Sequence, residues 1–283
     1  MTPIVLAGLS AFFFGAMTVL VRIALSGGVS PAAGALYTVV PACLVTGAAM
    51  LARQDLDLAS AWPFVLAGLV APGIAQILFT FAVRDAGASR SSVTVGTAPL
   101  FAVAIALVFL DEPLVAGLAA GAACIVAGGA VLASDRSRPE HFKRIGIVYA
   151  LLCTAGFATR DALIRWLGTE ASDVEPGTAA FVTMATATCA ALVFALASGN
   201  RLTLPDARAF VPAGLFYGVS YVLLFEAFYR GSVSVVSPMV ATESLWGVTL
   251  SWLVLRKSEL VGPRLFLGAA LVVAGGVLIG IYR

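Results

Sequence analysis

Long apolar runs separated by short polar punctuation dominate this chain. A helix that crosses the hydrocarbon core of a bilayer needs about 20 mostly apolar residues. Ten such runs fall approximately at residues 3–24, 31–52, 62–83, 89–110, 114–134, 145–167, 176–198, 208–229, 232–255 and 261–281. Gly27-Gly28, Ser134–Pro139 and Ser198-Gly199-Asn200 read as turns or loops between them. The connections are short and leave no room for a separate soluble domain. The pattern therefore predicts an all-α integral membrane protein with ten transmembrane helices. The first run, Pro3–Val21, has no positive segment before it and equally apolar segments after it. It is expected to be a retained helix rather than a cleaved signal peptide.

The second half of the chain echoes the first. Ala67-Gly68-Leu69 returns as Ala213-Gly214-Leu215, 146 positions on, and Ala127-Gly128-Gly129-Ala130 returns as Ala274-Gly275-Gly276-Val277 after 147. Phe101 falls opposite Trp246 at a spacing of 145, and Glu112 opposite Glu259 at 147. The expected organisation is a first five-helix repeat over 1–134, a basic inter-repeat loop over 135–144 and a second repeat over 145–283. An odd number of spans per copy inverts the second copy in the membrane. Inverted repeats point to carriers that work by alternating access.

The turn after the fourth span reads Leu110-Asp111-Glu112-Pro113, and its counterpart reads Ser258-Glu259-Leu260; each precedes a glycine-rich span. With these motifs the chain resembles the EamA type of the drug/metabolite transporter superfamily. The second turn departs from the family pattern in carrying Arg256-Lys257. The resemblance implies a substrate cavity among spans one, three, four, six, eight and nine, with spans five and ten peripheral and holding the halves together. It implies a secondary transporter exporting small amphipathic metabolites, and aromatic and other neutral amino acids of the YddG-like kind are the nearest expectation. Multidrug or sugar- and nucleotide-type exporters share the fold and are the alternative.

Composition agrees with a polytopic membrane protein. Hydrophobic residues make up 60% of the chain and charged residues 11%, with a mean hydropathy of +1.01, against about 25% charged in a soluble domain. The net charge of +2 and the lack of a basic stripe with interleaved aromatics argue against nucleic acid as a partner. The expected partners are a small-molecule substrate and the bilayer. A monomer is expected, with a homodimer through spans five and ten as the alternative.

Basic residues divide twelve to four between the two sets of loops. The richer set holds Arg22, Arg84, Arg90, Lys143 and Arg144 among others. The poorer holds Arg53, Arg165, Arg230 and Arg283. By the positive-inside rule the inter-repeat loop is expected in the cytoplasm and both termini in the periplasm. The dominance of Arg, Ala and Gly suggests a bacterial, GC-rich genome and hence the bacterial inner membrane.

Cys43, Cys124, Cys153 and Cys189 each lie in an apolar segment and form neither metal-site spacing nor a disulfide framework. The single histidine, His141, lies in the basic loop. Catalytic triads, zinc motifs and phosphate-binding loops are missing from the sequence, so neither an enzyme nor a cofactor is expected. A membrane-embedded channel or enzyme is the alternative from a different class.

Polar side chains inside spans are expensive and mark functional candidates. Glu243 is the sharpest, about 11 residues from either end of its span. It could bind a substrate ammonium, carry a proton, or pair structurally with Arg160; its first-half counterpart is Ala98. Arg160 and Asp161 are adjacent, about 100° apart around the helix, and are not expected simply to pair. Arg160 could bind a substrate carboxylate, neutralise Glu243 or Glu226, or snorkel at the interface. Gln76 and Tyr221 are near symmetry mates, and Tyr217 is one turn from Tyr221. Together they could line a central space or act as interhelical packing groups. Pro99 and Pro238 break spans four and nine without aligning well, and could free carbonyls for a cavity or merely kink the helices. Thr97 offers a hydroxyl beside Pro99. Phe101 and Trp246 are the choice for an apolar wall. The aromatics Phe13, Phe14, Phe79 and Trp252 read as packing or lipid-facing residues. Trp62 and Trp166 sit at span ends as interfacial anchors.

Overall fold

The computed structural model describes residues 1–54, 57–101, 116–133, 142–168, 172–255 and 261–282. Within them the chain forms α1 (Pro3–Leu25), α2 (Pro31–Ala52), α3 (Pro63–Gly68), a π-helical turn (Leu69–Ile74), α4 (Ala75–Ala86), α5 (Ala88–Val95), α6 (Ala116–Ala133), α7 (Ile145–Trp166), α8 (Pro176–Ala197), α9 (Leu204–Arg230), α10 (Val233–Val240), α11 (Glu243–Val254) and α12 (Pro263–Tyr282). Among the described residues the molecule is all-helical. Seven helical stretches (α1, α2, α3 through α4, α7, α8, α9 and α12) are long and apolar enough to cross a membrane. Of the other three expected spans, the described parts include the shorter helices α5, α6 and α10 with α11. The turns Leu110–Pro113 and Ser258–Leu260, His141 and most of the inter-repeat loop lie outside the described residues.

Helix starts follow local chemistry. Thr2, Ser30 and Thr203 each accept the N–H of a residue three positions on, and each helix they cap has proline in its first turn. The Thr203 cap draws the start of the eighth span back to Leu204, four residues before the start expected from hydropathy. A polar first turn holding Asp206 and Arg208 precedes its apolar part.

The inversion is visible where α6 meets α12, the most extensive helix pair among the described residues. Gly121 abuts Gly275, and Gly128 abuts Gly268. A Cβ on Gly121 would lie 2.8 Å from the Gly275 carbonyl oxygen, and one on Gly128 would lie 2.7 Å from that of Gly268. The repeat spacing makes Gly121 equivalent to Gly268 and Gly128 equivalent to Gly275. The contact is therefore reciprocal and antiparallel, as a pseudo-twofold axis in the membrane plane requires. Gly117 of α6 extends the seam by packing under the Tyr282 ring of α12, whereas Gly276 faces Pro99 and Pro238.

Among the described residues three spans are interrupted. Span four breaks at Gly96-Thr97 and span nine at Ala241-Thr242, and these positions are 145 apart, the local spacing of the repeat. The breaks thus correspond although the prolines do not. Span three is broken by Ala71, whose φ of −150° and ψ of 125° are extended, and by Pro72, which has no N–H to donate.

Ion clusters close the two ends. At one end Arg84 donates from Nε and Nη2 to the Asp85 carboxylate, both at 2.7 Å, and the Lys143 N–H reaches the Asp85 carbonyl oxygen at 2.6 Å. Arg22 donates to the Arg84 carbonyl oxygen at 3.4 Å. At the other end Glu226 is held by Arg53 and Arg230, and Arg165 donates to the Phe228 carbonyl oxygen at 3.0 Å. Glu226 is therefore not a partner of Arg160; its place near the end of α9 brings it to the C-terminus of α2.

Replacing Gly275 by Leu should overpack the α6–α12 seam and cost about 1–3 kcal/mol, read as a lower melting temperature in detergent. Gly129→Ala, one residue from Gly128 but facing open space, should leave the melting temperature unchanged or raise it slightly.

Candidate substrate site

The interior is organised around a column of rings. Phe14 of α1 stands 5.7 Å from Phe157 of α7 and 5.3 Å from Tyr217 of α9, centroid to centroid. Phe79 of α4 lies 6.3 Å from both Phe14 and Phe157. Tyr217, Tyr221 and Phe225 continue the column along α9 at steps of 5.3 and 5.4 Å. Edge-on and tilted ring contacts of this kind add to the apolar burial of each ring.

A charged group is held inside this column. The Arg160 guanidinium is 2% exposed. Its Nε and Nη2 donate to Asp161 Oδ1 at 2.9 and 2.6 Å, and its Nη1 donates to the Tyr221 hydroxyl at 3.1 Å. Its central carbon lies 4.9 Å from the Phe157 ring centroid and 5.2 Å from that of Tyr221. Tyr221 in turn donates to the Ala71 carbonyl oxygen at 3.3 Å. The break in span three is thus satisfied from α9, as backbone inside a membrane requires. Glu243, the first residue of α11, is 5% exposed and lies within electrostatic reach of Arg160 and Asp161, as well as of Cys153 and Tyr217. Its carboxylate makes no hydrogen bond among the described residues. Neither do the buried Gln76 amide and the Tyr217 hydroxyl.

Five of the sequence candidates are therefore drawn to one region: Gln76, Arg160, Tyr217, Tyr221 and Glu243. Gln76 lies one turn before Phe79, on the face that carries that ring into the column. Arg160 and Asp161 do pair, contrary to expectation. Both are buried, and the long arginine side chain folds back onto its neighbour instead of snorkelling to an interface.

Four candidates lie elsewhere. Thr97 lines a separate cleft between α5, α6 and α7, and its hydroxyl donates to the Thr94 carbonyl oxygen at 2.6 Å. Pro99 is 3.4 Å from the Cβ position of Gly276, with Pro238 beside it, so both prolines wedge against α12. Phe101 is half-buried at the end of the described part of span four. Trp246 is 40% exposed, edge-on to Phe12 in an outer groove between α1 and α10–α11. Gly15 of α1 fills the inner position there, since a Cβ on it would lie 2.8 Å from Trp246 Cβ.

Sequence reasoning passed over the Ala71-Pro72 break and the roles of Phe14, Phe79 and Phe157 beside the guanidinium. Pro72-Gly73 in mid-span was the available signal for the break. The rings gave none, because an apolar span holds many aromatics.

The arrangement offers one guanidinium, two carboxylates, neutral donors and acceptors on Tyr217 and Gln76, and ring faces. These are the groups that bind an anion, a cation and an apolar side chain side by side. Among the described residues no group of three His, Cys, Asp or Glu side chains is placed to hold a metal ion.

A membrane protein of two inverted helical halves, with its buried polar cluster between them and broken spans at equivalent positions, has the build of a carrier. The chain belongs to the EamA-like transporter family, whose model matches it twice, over residues 1–134 and 144–281. It is 27% identical over 224 residues to a probable terminal-alkyne amino-acid exporter of Streptantibioticus cattleyicolor, covering 76% of this chain and 71% of that protein. A crystal structure that carries no functional description shares the fold, with a TM-score of 0.68 and 21% identity over 96% of this chain and 95% of the other.

Asp161→Ala should leave Arg160 as a buried charge without its counter-ion and cost about 3–5 kcal/mol, seen as a large fall in the detergent melting temperature. Replacing both members of the pair, Arg160→Met with Asp161→Leu, should recover most of that loss.

Proposed function

We propose that this transporter is a secondary exporter of neutral amino acids, aromatic ones among them, in the bacterial inner membrane. The observation that carries this reading is the Arg160–Asp161–Tyr221 cluster with Glu243 beside it, packed among aromatic rings. The guanidinium and the Tyr221 hydroxyl suit a substrate carboxylate. Glu243 and Asp161 suit its ammonium, and Phe14, Phe79 and Phe157 suit an apolar side chain. The similarity to a probable amino-acid exporter supports the same class of substrate.

The repeats, taken as 1–134 and 145–283 joined by the loop 135–144, would rock about the pseudo-twofold axis and expose the cluster to each side in turn. The buried rings close the cluster off in the present conformation. The loop lies in the cytoplasm and the termini in the periplasm, in keeping with the excess of basic residues at the Asp85–Lys143 end. One chain is the working unit.

Glu243 has a second task in this scheme. Arg160 and Asp161 cancel each other's charge, which leaves the Glu243 carboxylate to be balanced by a proton or by the incoming ammonium. Exchange of the two would couple export to proton movement.

The test is accumulated counterflow in liposomes with a panel of aromatic and aliphatic amino acids, cationic drugs and sugars. Exchange of neutral amino acids is expected, and exchange of drugs or sugars alone would overturn the substrate class. Glu243→Gln should abolish exchange or make it independent of pH. Undiminished and still pH-dependent transport by that variant would remove the proton role.

A further inference from the structure

Away from the Arg160 cluster, a cleft of about 560 Å³ opens between α5, α6 and α7, within the size range of small-molecule sites. Val148 and Leu151 form its outer lip and are 47% and 42% exposed on a membrane-spanning helix, so the cleft opens towards lipid. At one end stand two arginines, Arg90 in the first turn of α5 and Arg144 just before α7. They lie at the same end of the molecule as Asp85 and Lys143. Arg90 is 2% exposed, 5.7 Å from the Phe142 ring centroid, whereas Arg144 is exposed.

Gly129 is part of the cleft lining. A Cβ there would meet nothing within 4 Å, although the neighbouring Gly128 is pressed against α12. Glycine weakens a helix interior, and helix packing does not call for one at this position. Its effect is to keep space open.

The other half supplies a comparison. At the 145-residue spacing Thr94 and Thr97 correspond to Met239 and Thr242, and these line a groove of about 850 Å³ between α1 and α10–α11. Among the described residues the lining of that groove contains no charged side chain. The fold builds an opening in both halves, and among the described residues cations line the one in the first half.

We propose that the α5–α6–α7 cleft binds an anionic phospholipid of the surrounding leaflet. The phosphodiester sits against the exposed Arg144, at the end where Arg90 adds positive charge, and an acyl chain runs inward past Val148 and Leu151 to the space beside Gly129. Arginine suits phosphate by geometry and permanent charge. Basic pockets between spans select anionic headgroups, while apolar walls exclude a free phosphate. The site is independent of the identity of the transported solute.

The test is native mass spectrometry of the full chain in neutral detergent, titrated with phosphatidylglycerol, phosphatidylcholine or soluble glycerol phosphate. Phosphatidylglycerol should be retained over phosphatidylcholine, and glycerol phosphate should not be retained. Arg144→Gln should lower phosphatidylglycerol retention about fivefold and leave phosphatidylcholine unaffected. Gly129→Leu should reduce retention of both lipids without lowering the melting temperature of the lipid-free protein. Equal retention of the two lipids, retention of glycerol phosphate alone, or wild-type phosphatidylglycerol binding by Arg144→Gln would overturn the proposal.

Discussion

The buried guanidinium of Arg160 is the constraint from which much of this interior follows. A charge inside a membrane protein needs a counter-ion, partners for its N–H groups and contacts for its flat faces. Asp161 provides the first, Tyr221 part of the second, and the rings of Phe157 and Tyr221 the third. Each requirement recruits a further element. Tyr221 ties α9 to the broken backbone of span three through the Ala71 carbonyl oxygen. Phe157 joins Phe14 and Phe79, which bring in α1 and α4. Four spans are thereby fixed around one cation.

A second constraint acts at the periphery. Lipid gives helices little hydrophobic reason to associate, so close backbone approach has to hold them together. The reciprocal glycine contacts of α6 and α12 supply that approach on the pseudo-twofold axis. The seam relates the halves while leaving the ring column to differ between them. Ala71 and Pro72 break span three where span eight carries Tyr217 and Gly218, an asymmetry that places one broken and one continuous helix on opposite sides of the cluster. The corresponding breaks at Gly96-Thr97 and Ala241-Thr242 divide spans four and nine, and the second of them delivers Glu243 to the interior.

The fold was legible in the sequence because it rests on coarse and repeated signals. Run length gave the spans, the glycine echo gave the duplication, and the odd number of spans per copy gave its inversion. The site was less legible. Polarity inside a span picked out Gln76, Arg160, Tyr217, Tyr221 and Glu243, which the structure draws to one region. Repeat alignment was a poorer guide. Phe101 and Trp246 align, yet Trp246 is turned outward because Gly15 brings the α1 backbone against it. Pro99 and Pro238 attracted attention as helix breakers, but both press against Gly276. Helix geometry also misled for Arg160 and Asp161. An angle of 100° separates adjacent Cα–Cβ directions, while a side chain as long as arginine can return across it when burial leaves no better partner.

Recognition in the proposed site depends on opposite charges held a short distance apart, so both ends of a substrate should matter together. The most direct measurement is liposome counterflow of one aromatic amino acid beside its decarboxylated amine and its deaminated acid, all with the same ring. The account predicts exchange of the amino acid alone. Exchange of the amine or the acid as fast as the amino acid would contradict it.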